Sequence, residues 1–435
     1  MQTRVETSKG LERKLTVQLP AQQYQQAYDA KLQSAAKSAR VDGFRAGKVP
    51  LKVVQQRYGA GIQQEVLSDM IERSYGQAVA SEKLRPAGRP QIQPEPLIPG
   101  QDVKYTAVFE IYPDVKLGDF KKLKVEKPLV DIQAVDIDKL LDNLRKQRAT
   151  FEVVTRASQQ DDQVLIDFEG SIDGELFDGG KGEKVPMQIG SGRLIEGFEE
   201  QLKGLKAGDE REVKVTFPKD YANVELQGKK AVFKVKVYEV SEQRLPEVNA
   251  EFVKSFGIEE GGVEKLQQDL REHMERELKQ NREAFIKKQV MNGLAEIHTF
   301  DVPAVMVDQE IQYLQEQSLS RMGIKDLQAN QLPREPYQEE ATRRVLLGLI
   351  IAEVVKQHDL KSDPAKVRAE VELLAANYGQ PEQIVQYYYN NPRLLQSIEA
   401  GVLEATVVEW ILAQAKVSEK AMDFDALTKA NQASK

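Results

Sequence analysis

The chain has 435 residues, of which 41% are hydrophobic and 30% charged, a composition typical of folded globular proteins and not of disordered chains. At ~150 residues per domain, this length predicts about three domains. The chain contains no cysteine, which excludes disulfides and thiolate chemistry, and its net charge of −7 excludes a basic protein that binds nucleic acid over its whole surface.

The first predicted domain, residues 1–112, mixes strands and helices. Alternation of apolar and polar residues indicates strands, and Ala- and Gln-rich stretches without Gly or Pro indicate helices. The pattern predicts, in order, a strand over 11–19, a helix over 21–41, helices over 51–58 and 62–84, an extended Pro-rich stretch over 86–100, and a strand over 103–112. This segment is therefore predicted to be an α+β domain.

A connector and a β-rich domain follow. Residues 113–150 predict a short strand near Leu123 and a helix from about Asp136 to Ala149. Residues 151–245 contain strand-like runs between Gly-rich turns. The runs lie at 163–168, 212–217 and 231–240, with one short helix near 198–202.

The remaining segment, residues 246–435, is predicted to be all-helical. Leu266, Leu270, Met274 and Leu278 recur at a spacing of four, which places them on one helix face. That helix is predicted to continue to about His298 over ~35 residues, with prolines separating the helices that follow. We expect the connector to pack with this segment, so that the β-rich domain is an insertion.

Charge is distributed unevenly along the chain. Residues 1–50 carry nine basic and four acidic residues, a balance of +5, so the remainder carries −12. A basic head on an acidic body predicts an anionic partner for the head.

The loop over residues 43–50, Gly-Phe-Arg-Ala-Gly-Lys-Val-Pro, is the sharpest short motif. Phe44 between glycines and basic residues suits a tip that docks onto RNA and protein. From chemistry alone, the favoured alternative is an ordinary interhelical turn with Phe44 packed in the core. It is not a phosphate-binding loop, because only three residues separate its glycines and Val49 follows Lys48.

This loop, GFRxGKxP, in an N-terminal α+β domain resembles the ribosome-docking signature of the trigger factor family. The β-rich domain resembles FKBP-type peptidyl-prolyl isomerases. The matching segments are residues 164–170, 174–178, 189–200, 217–221 and 232–235. The resemblance implies a multidomain α+β fold: an N-terminal α+β ribosome-binding domain, an FKBP-like β-rich isomerase domain, and a long-helix all-α C-terminal chaperone domain.

The resemblance also implies the functional residues. The residues implied in isomerisation are Phe168, Phe177, Asp178, Ile195, Phe198, Tyr221 and Phe233. The residues implied in ribosome binding are Gly43, Phe44, Arg45, Gly47, Lys48 and Pro50. Isomerisation needs a pocket that binds the twisted amide better than the planar one, and it needs no nucleophile or metal.

The partners implied are the ribosome, through a tunnel-exit ribosomal protein and nearby ribosomal RNA, and unfolded nascent polypeptides. A homodimer away from the ribosome is also implied. We expect no cofactor, no ATP, no metal, no DNA and no membrane partner. Residues 1–7 lack the apolar core of a secretory signal, and the longest apolar run, Val345–Ala352, is far shorter than the ~20 residues that span a membrane. We therefore expect a cytoplasmic protein.

Other candidate sites carry weaker signals. Gly190-Ser191-Gly192 lacks the third glycine of a dinucleotide motif, and the three histidines, His273, His298 and His358, are better explained by surface or packing roles than by a metal site. The run Tyr387–Tyr389 must expose at least one ring on a helix, and that ring could contact substrates.

Two further functional classes stay open on the sequence alone. The chain could be a free-standing FKBP-type prolyl isomerase whose helical tail dimerises it, but the basic tip over residues 43–50 would then lack a role. It could also be a binding scaffold with an inactive FKBP-like fold, against which the intact aromatic set argues.

Overall fold

The computed structural model describes residues 1–40, 44, 48–219, 221, 223, 225–324, 328–376 and 378–432. The strands in these residues are β1 (Gln2–Thr7), β2 (Glu12–Leu19), β3 (Gln91–Pro94), β4 (Val103–Glu110), β5 (Lys124–Leu129), β6 (Thr150–Val154), β7 (Gln163–Ile172), β8 (Glu175–Gln188), β9 (Glu210–Thr216), β10 (Lys230–Arg244) and β11 (Lys416–Ala421). The helices are α1 (Ala21–Ser38), α2 (Leu51–Ser81), α3 (Ala134–Gln147), α4 (Phe198–Gln201), α5 (Ala250–Lys254), α6 (Gly262–Ile297), α7 (Ala304–Met322), α8 (Glu335–His358), α9 (Pro364–Ala375), α10 (Pro381–Asn390), α11 (Pro392–Gln414) and α12 (Phe424–Gln432).

The chain divides into two compact units. The first unit consists of Met1–Lys127 and Glu283–Lys420, and the second consists of Pro128–Arg282 and Ala421–Lys435. Among the described helices, none is both long enough and apolar enough to span a bilayer.

The N-terminal part of the first unit is an antiparallel sheet of strand order β1-β2-β4-β3 beside two helices. Leu15 pairs with Ala107 and Val17 with Tyr105, and all four side chains are fully buried. This alternation confirms the predicted strands, since observed β2 and β4 fall within the expected ranges. Strand β1, which we did not predict, extends the sheet by pairing with β2.

Helix α2 corrects the prediction of two helices over 51–58 and 62–84, because residues 51–81 form one continuous helix. Gly59 and Gly61 lie in the expected gap, but a helical glycine costs only about 0.5–1 kcal/mol relative to alanine. Gly59 is buried, and a Cβ added there would lie 3.1 Å from the hydroxyl oxygen of Tyr28 on α1. Close packing of α1 against α2 therefore maintains the helix through this point.

The helical part of the first unit packs around residues of the connector. Phe120, Leu123 and Val125 are buried with side chains of the second half of α6, α8 and α11. Helices α7 and α8 share a second apolar cluster, which includes Ile311 and Val345. The 36 residues of α6 confirm the predicted long helix.

The second unit contains the β-rich domain. Its sheet has the order β6-β10-β7-β8, and β9 also pairs with β10. The predicted strands lie in β7, β9 and β10, whereas β8 was not predicted. A separate cluster joins α3 to α5 and to the first half of α6 through Ile137, Phe252 and Leu270.

Candidate functional site

A cavity of about 470 Å³ opens on the inner face of the β-rich sheet. Six of the seven residues expected to act in isomerisation line it: Phe168, Phe177, Ile195, Phe198, Tyr221 and Phe233. They come from strands β7, β8 and β10, from the start of α4, and from the two loops before α4 and after β9. The fold therefore brings together residues up to 65 positions apart in the sequence.

The aromatic rings meet edge to face. The Phe233 ring centroid lies 5.3 Å from that of Phe198 and 5.9 Å from that of Phe177, with interplanar angles of 83° and 89°. Phe168 contacts both Phe198 and Phe233 at 6.4 and 6.1 Å. Such tilted contacts are favourable for aromatic quadrupoles and hold each ring in one orientation.

The burial of these rings distinguishes the floor of the cavity from its rim. Phe198 and Phe233 are 4% and 5% exposed and belong to the domain core. Phe168, Phe177, Ile195 and Tyr221 are half-buried. Two rings thus serve both the core and the cavity, and the others present apolar surface to a ligand.

Glycines beneath the rings make this arrangement possible. A Cβ at Gly170 would lie 2.5 Å from a Phe233 ring carbon and 2.9 Å from the Phe177 ring. A Cβ at Gly182 would lie 2.5 Å from the Phe168 ring. All three distances are shorter than van der Waals contact, so these rings can pack against the sheet only because Gly170 and Gly182 have no side chain.

Polar groups at the cavity were only partly predicted. Asp178 lies in β8, but its side chain is outside what the structure describes. Arg193, Glu196 and Asn223 line the cavity and were missed as site residues. Arg193 and Glu196 stand within the FKBP-like segment 189–200, so that motif was the signal for them.

The loop before α4 forms one wall of the cavity. Ile195 lies in this loop and lines the cavity, and its backbone N–H has no acceptor among the described residues. Behind the loop, the buried carboxylate of Glu199 accepts five hydrogen bonds from this segment. The donors are the backbone N–H groups of Gly190 (2.7 Å), Gly192 (3.1 Å), Arg193 (3.2 Å) and Leu194 (3.3 Å), and the hydroxyl of Ser191 (2.8 Å). Glu199 also stands within the segment 189–200, but its role was missed, because a carboxylate bound by backbone groups leaves no partner pattern in the sequence.

The docking loop is described only in part. Gly43, Arg45 and Gly47 lie outside the described residues. Phe44 is 43% exposed, so the alternative that it packs in the core is wrong. Val49 instead is 6% exposed in the core between α1 and α2, while Lys48 is exposed and Pro50 directly precedes α2.

The histidines take packing or surface positions. His298 is 3% exposed, with Nε2 accepting from the Gly118 N–H at 2.8 Å, while His358 stacks on Trp410 with centroids 4.0 Å apart. His273 is exposed on α6. Over the described residues, no cluster of three or more His, Asp or Glu side chains could hold a metal ion.

Comparisons with known proteins cover the whole chain. Three family models match: Bacterial trigger factor protein (TF) over residues 1–144, FKBP-type peptidyl-prolyl cis-trans isomerase over 154–238, and Bacterial trigger factor protein (TF) C-terminus over 262–413. The trigger factor of Thioalkalivibrio sulfidiphilus is 48% identical over 427 residues, covering 98% of each chain. That of Pseudomonas fluorescens is 43% identical over 435 residues, covering 100% of each chain.

The fold also resembles a solved structure from work on promiscuous substrate recognition by the trigger factor chaperone. The TM-score is 0.50 at 20% identity, and the match covers 95% of this chain and 99% of that one.

Proposed function

Because this chain belongs to the trigger factor family of chaperones and carries an FKBP-type peptidyl-prolyl isomerase domain, we propose which of its residues perform each activity. Members of this family bind ribosomes and nascent chains. The proposed function is ATP-independent binding of nascent polypeptides at the tunnel exit, coupled to cis/trans isomerisation of their X-Pro bonds. The aromatic cavity of the β-rich domain is the observation that supports the isomerase site.

The cavity suits this chemistry because the barrier lies in the amide itself. Rotation about a peptide bond costs about 18–20 kcal/mol, since conjugation is lost as the bond twists. An apolar pocket disfavours the polar planar amide and favours the less polar twisted form. Phe168, Phe177, Phe198 and Phe233 supply apolar surface. The N–H of Ile195, which has no acceptor in the part of the chain that the structure describes, can bind a substrate carbonyl.

Substitutions of the cavity rings test this assignment. Phe198→Ala and Phe233→Ala should lose most isomerisation of a short X-Pro peptide, because both rings form the floor. Since both rings also support the core, Tyr221→Ala at the half-buried rim is the milder variant and should lower kcat/KM at least fivefold.

Tyr238→Ala is the matched control, because Tyr238 lies on the same strand β10 but is 42% exposed and outside the cavity lining. Wild-type rates in the Tyr221 variant and in both Phe variants would place the isomerase site elsewhere.

We propose that the head docks on the ribosome through Gly43, Phe44, Arg45, Gly47, Lys48 and Pro50. The exposed ring of Phe44 would enter an apolar slot of a tunnel-exit ribosomal protein, while basic side chains contact nearby ribosomal RNA. The +5 charge of residues 1–50 supports an anionic partner.

Changing Phe44, Arg45 and Lys48 together to Ala should abolish co-sedimentation with ribosomes and leave peptide isomerisation intact. In the wild type, co-sedimentation should weaken as salt rises, because phosphate contacts release counterions. Arg4→Ala with Lys14→Ala is the control, since it removes two exposed basic side chains from the head's sheet and not from the loop. Normal pelleting of the triple variant would rule out the loop as the docking site.

We assign residues 1–112 to ribosome binding, 113–150 to a connector that packs with the C-terminal segment, 151–245 to isomerisation, and 246–435 to client binding. Exposed aromatic rings on and beside α10 support the last assignment: Tyr378, Tyr387 and Tyr389 are 59%, 59% and 44% exposed. Apolar rings among polar residues suit weak binding of many unfolded sequences. A cytoplasmic location and a homodimer away from the ribosome complete the proposal.

A further inference from the structure

The carboxylate of Glu199 is the most heavily hydrogen-bonded acid in the described part of the isomerase domain. Its side chain is 8% exposed, and its two oxygens share four backbone N–H donors and one hydroxyl. Burial raises the pKa of this carboxyl, but the hydrogen bonds from Gly192, Ser191, Gly190 and Leu194 outweigh burial and hold the pKa below its ordinary value. The charged form is therefore the one that the loop binds.

The segment that Glu199 binds has little other support. Gly190 and Gly192 have φ angles of +89° and +66°, a conformation in which successive N–H groups can converge on one anion. Its own backbone bonds are a 3.4 Å contact from the Ser191 N–H to Gln188 and a 3.0 Å bond from the Phe198 N–H to Ile195. The carboxylate thus supplies most of the hydrogen bonds that fix the shape of this segment.

The same segment forms a wall of the isomerase cavity. Arg193, Leu194 and Ile195 all line it, and Phe198, the residue before Glu199, forms part of its floor. Two of the N–H donors to Glu199 belong to lining residues, Arg193 and Leu194. A displacement of the carboxylate would therefore move the wall and the backbone N–H of Ile195 together.

We propose that Glu199 is a positioning residue for prolyl isomerisation, whose ionised side chain holds residues 190–195 in the shape that the twisted substrate needs. It acts through the loop and contacts no substrate atom. This inference rests on the proposed isomerase cavity.

Glu199→Gln in the full-length chain is the main test. The amide keeps the size of the side chain but turns one acceptor oxygen into a donor that faces N–H groups. We expect kcat/KM for an X-Pro peptide to fall at least tenfold, and hydrogen exchange to rise in residues 188–196 and not in the other strands. Glu199→Asp, which retains the charge on a shorter chain, should recover part of the activity.

Glu200→Gln is the matched control, because it makes the same chemical change one residue along α4 at an exposed position. Ser191→Ala removes the hydroxyl that donates to Glu199 at 2.8 Å and accepts a longer bond from the Arg193 N–H at 3.4 Å. Since Ser191 is exposed, this variant tests the loop without threatening the fold, and we expect a two- to fivefold loss. The acid limb of the wild-type pH profile should follow the protonation of Glu199, and it should be absent in Glu199→Gln.

Different results would contradict the isomerase function and the positioning role of Glu199. An inactive wild type would contradict the proposed isomerase function itself. An active wild type with unchanged kcat/KM and loop exchange in Glu199→Gln would overturn the positioning role alone. If Glu199→Gln fails to fold, unchanged activity and loop exchange in Ser191→Ala overturn it in the same way.

Discussion

His298 binds backbone groups through both ring nitrogens. Nε2 accepts from Gly118 at 2.8 Å, so Nδ1 carries the proton and donates to the Leu294 carbonyl, also at 2.8 Å. The ring thereby ties the connector to the end of α6. An exposed histidine such as His273 makes no comparable contribution, and the two residues form a natural pair for comparison.

We predict that His298→Ala lowers the free energy of unfolding of the first unit by about 2–3 kcal/mol. The change leaves the half-buried N–H of Gly118 without its acceptor and removes a buried ring from the core, and an unsatisfied buried donor alone costs about 1–3 kcal/mol. Urea unfolding followed by fluorescence of Trp410, the single tryptophan, reports on this unit, because its ring lies 5.5 Å from that of Phe120. His273→Ala should change stability by less than about 0.5 kcal/mol; equal effects of the two changes would contradict the prediction.

Tyr75 and Tyr105 form a second pair with opposite expectations. The Tyr75 hydroxyl is buried without a partner in the described residues, and burial raises the pKa of Tyr75 to about 12. The Tyr105 hydroxyl instead lies 2.9 Å from that of Ser74. Tyr75→Phe should be neutral or stabilising by up to about 1 kcal/mol, whereas Tyr105→Phe should destabilise by about 1 kcal/mol. Urea denaturation measures the free energy of unfolding of both variants. Destabilisation by Tyr75→Phe would contradict the prediction and show that the Tyr75 hydroxyl has a hydrogen-bond partner.

At the scale of residues, the aromatic side chains of the cavity were predictable from the sequence and their supports were not. Rings such as Phe168 and Phe233 stand in motif segments that resemble FKBP-type isomerases. Gly182 supports the Phe168 ring because a side chain at this position would clash with it, and Glu199 supports the loop by accepting from backbone N–H groups. Neither of these contacts pairs two side chains, so neither leaves a pattern in the sequence. Their roles are therefore visible only in the three-dimensional structure.

Among the elements, α2 offers a test of why a glycine occupies a helix. An added Cβ at Gly61 would have no described residue within 4 Å, whereas such an atom at Gly59 would lie 3.1 Å from the Tyr28 hydroxyl oxygen. Gly61→Ala should stabilise the first unit by about 0.5–1 kcal/mol, since alanine loses less backbone entropy in a helix. Thermal unfolding should show a higher midpoint for Gly61→Ala and a smaller gain or a loss for Gly59→Ala. Equal gains would mean that the contact with α1 is unimportant.

Helices and strands with a strong apolar periodicity were predictable from the sequence, whereas strands without it were not. Helix α6 and strands β2 and β4 bury one face, so their apolar spacing is visible in the sequence. Strand β8 carries three glycines and meets β7 with two register shifts, so its residues resemble turns. Every residue of β11 is exposed, so its sequence has no alternation to detect.

At the scale of the whole molecule, the two ends of the isomerase segment lie side by side. Thr150 at the start of β6 pairs with Arg244 at the end of β10. Paired strands lie about 4.8 Å apart, so a short linker can replace everything between these residues. This geometry suits an inserted domain.

We predict that joining residues 149 and 245 through a four-residue Gly-Ser linker abolishes peptide isomerisation and preserves ribosome co-sedimentation. The unfolding midpoint of Trp410 fluorescence should shift by less than 2 °C. Removing only residues 163–188 is the control, because it strips β10 of its neighbour β7 and should yield an aggregating protein. A large fall in the midpoint after the full excision would show that the remaining chain depends on the insert.

The pairing of β5 with β11 has a consequence for the protein's own synthesis. Lys416 donates its N–H to the Leu123 carbonyl and Met422 donates its N–H to the Leu129 carbonyl, so one edge of strand β5 is paired by a segment far along the chain. Because the ribosome makes the chain from its N-terminal end, β5 lacks this partner strand until the intervening residues have been made. Unpaired edges of this kind invite wrong association between chains. During its own synthesis, each molecule is therefore exposed to the same wrong association that chaperones of its family prevent in other chains.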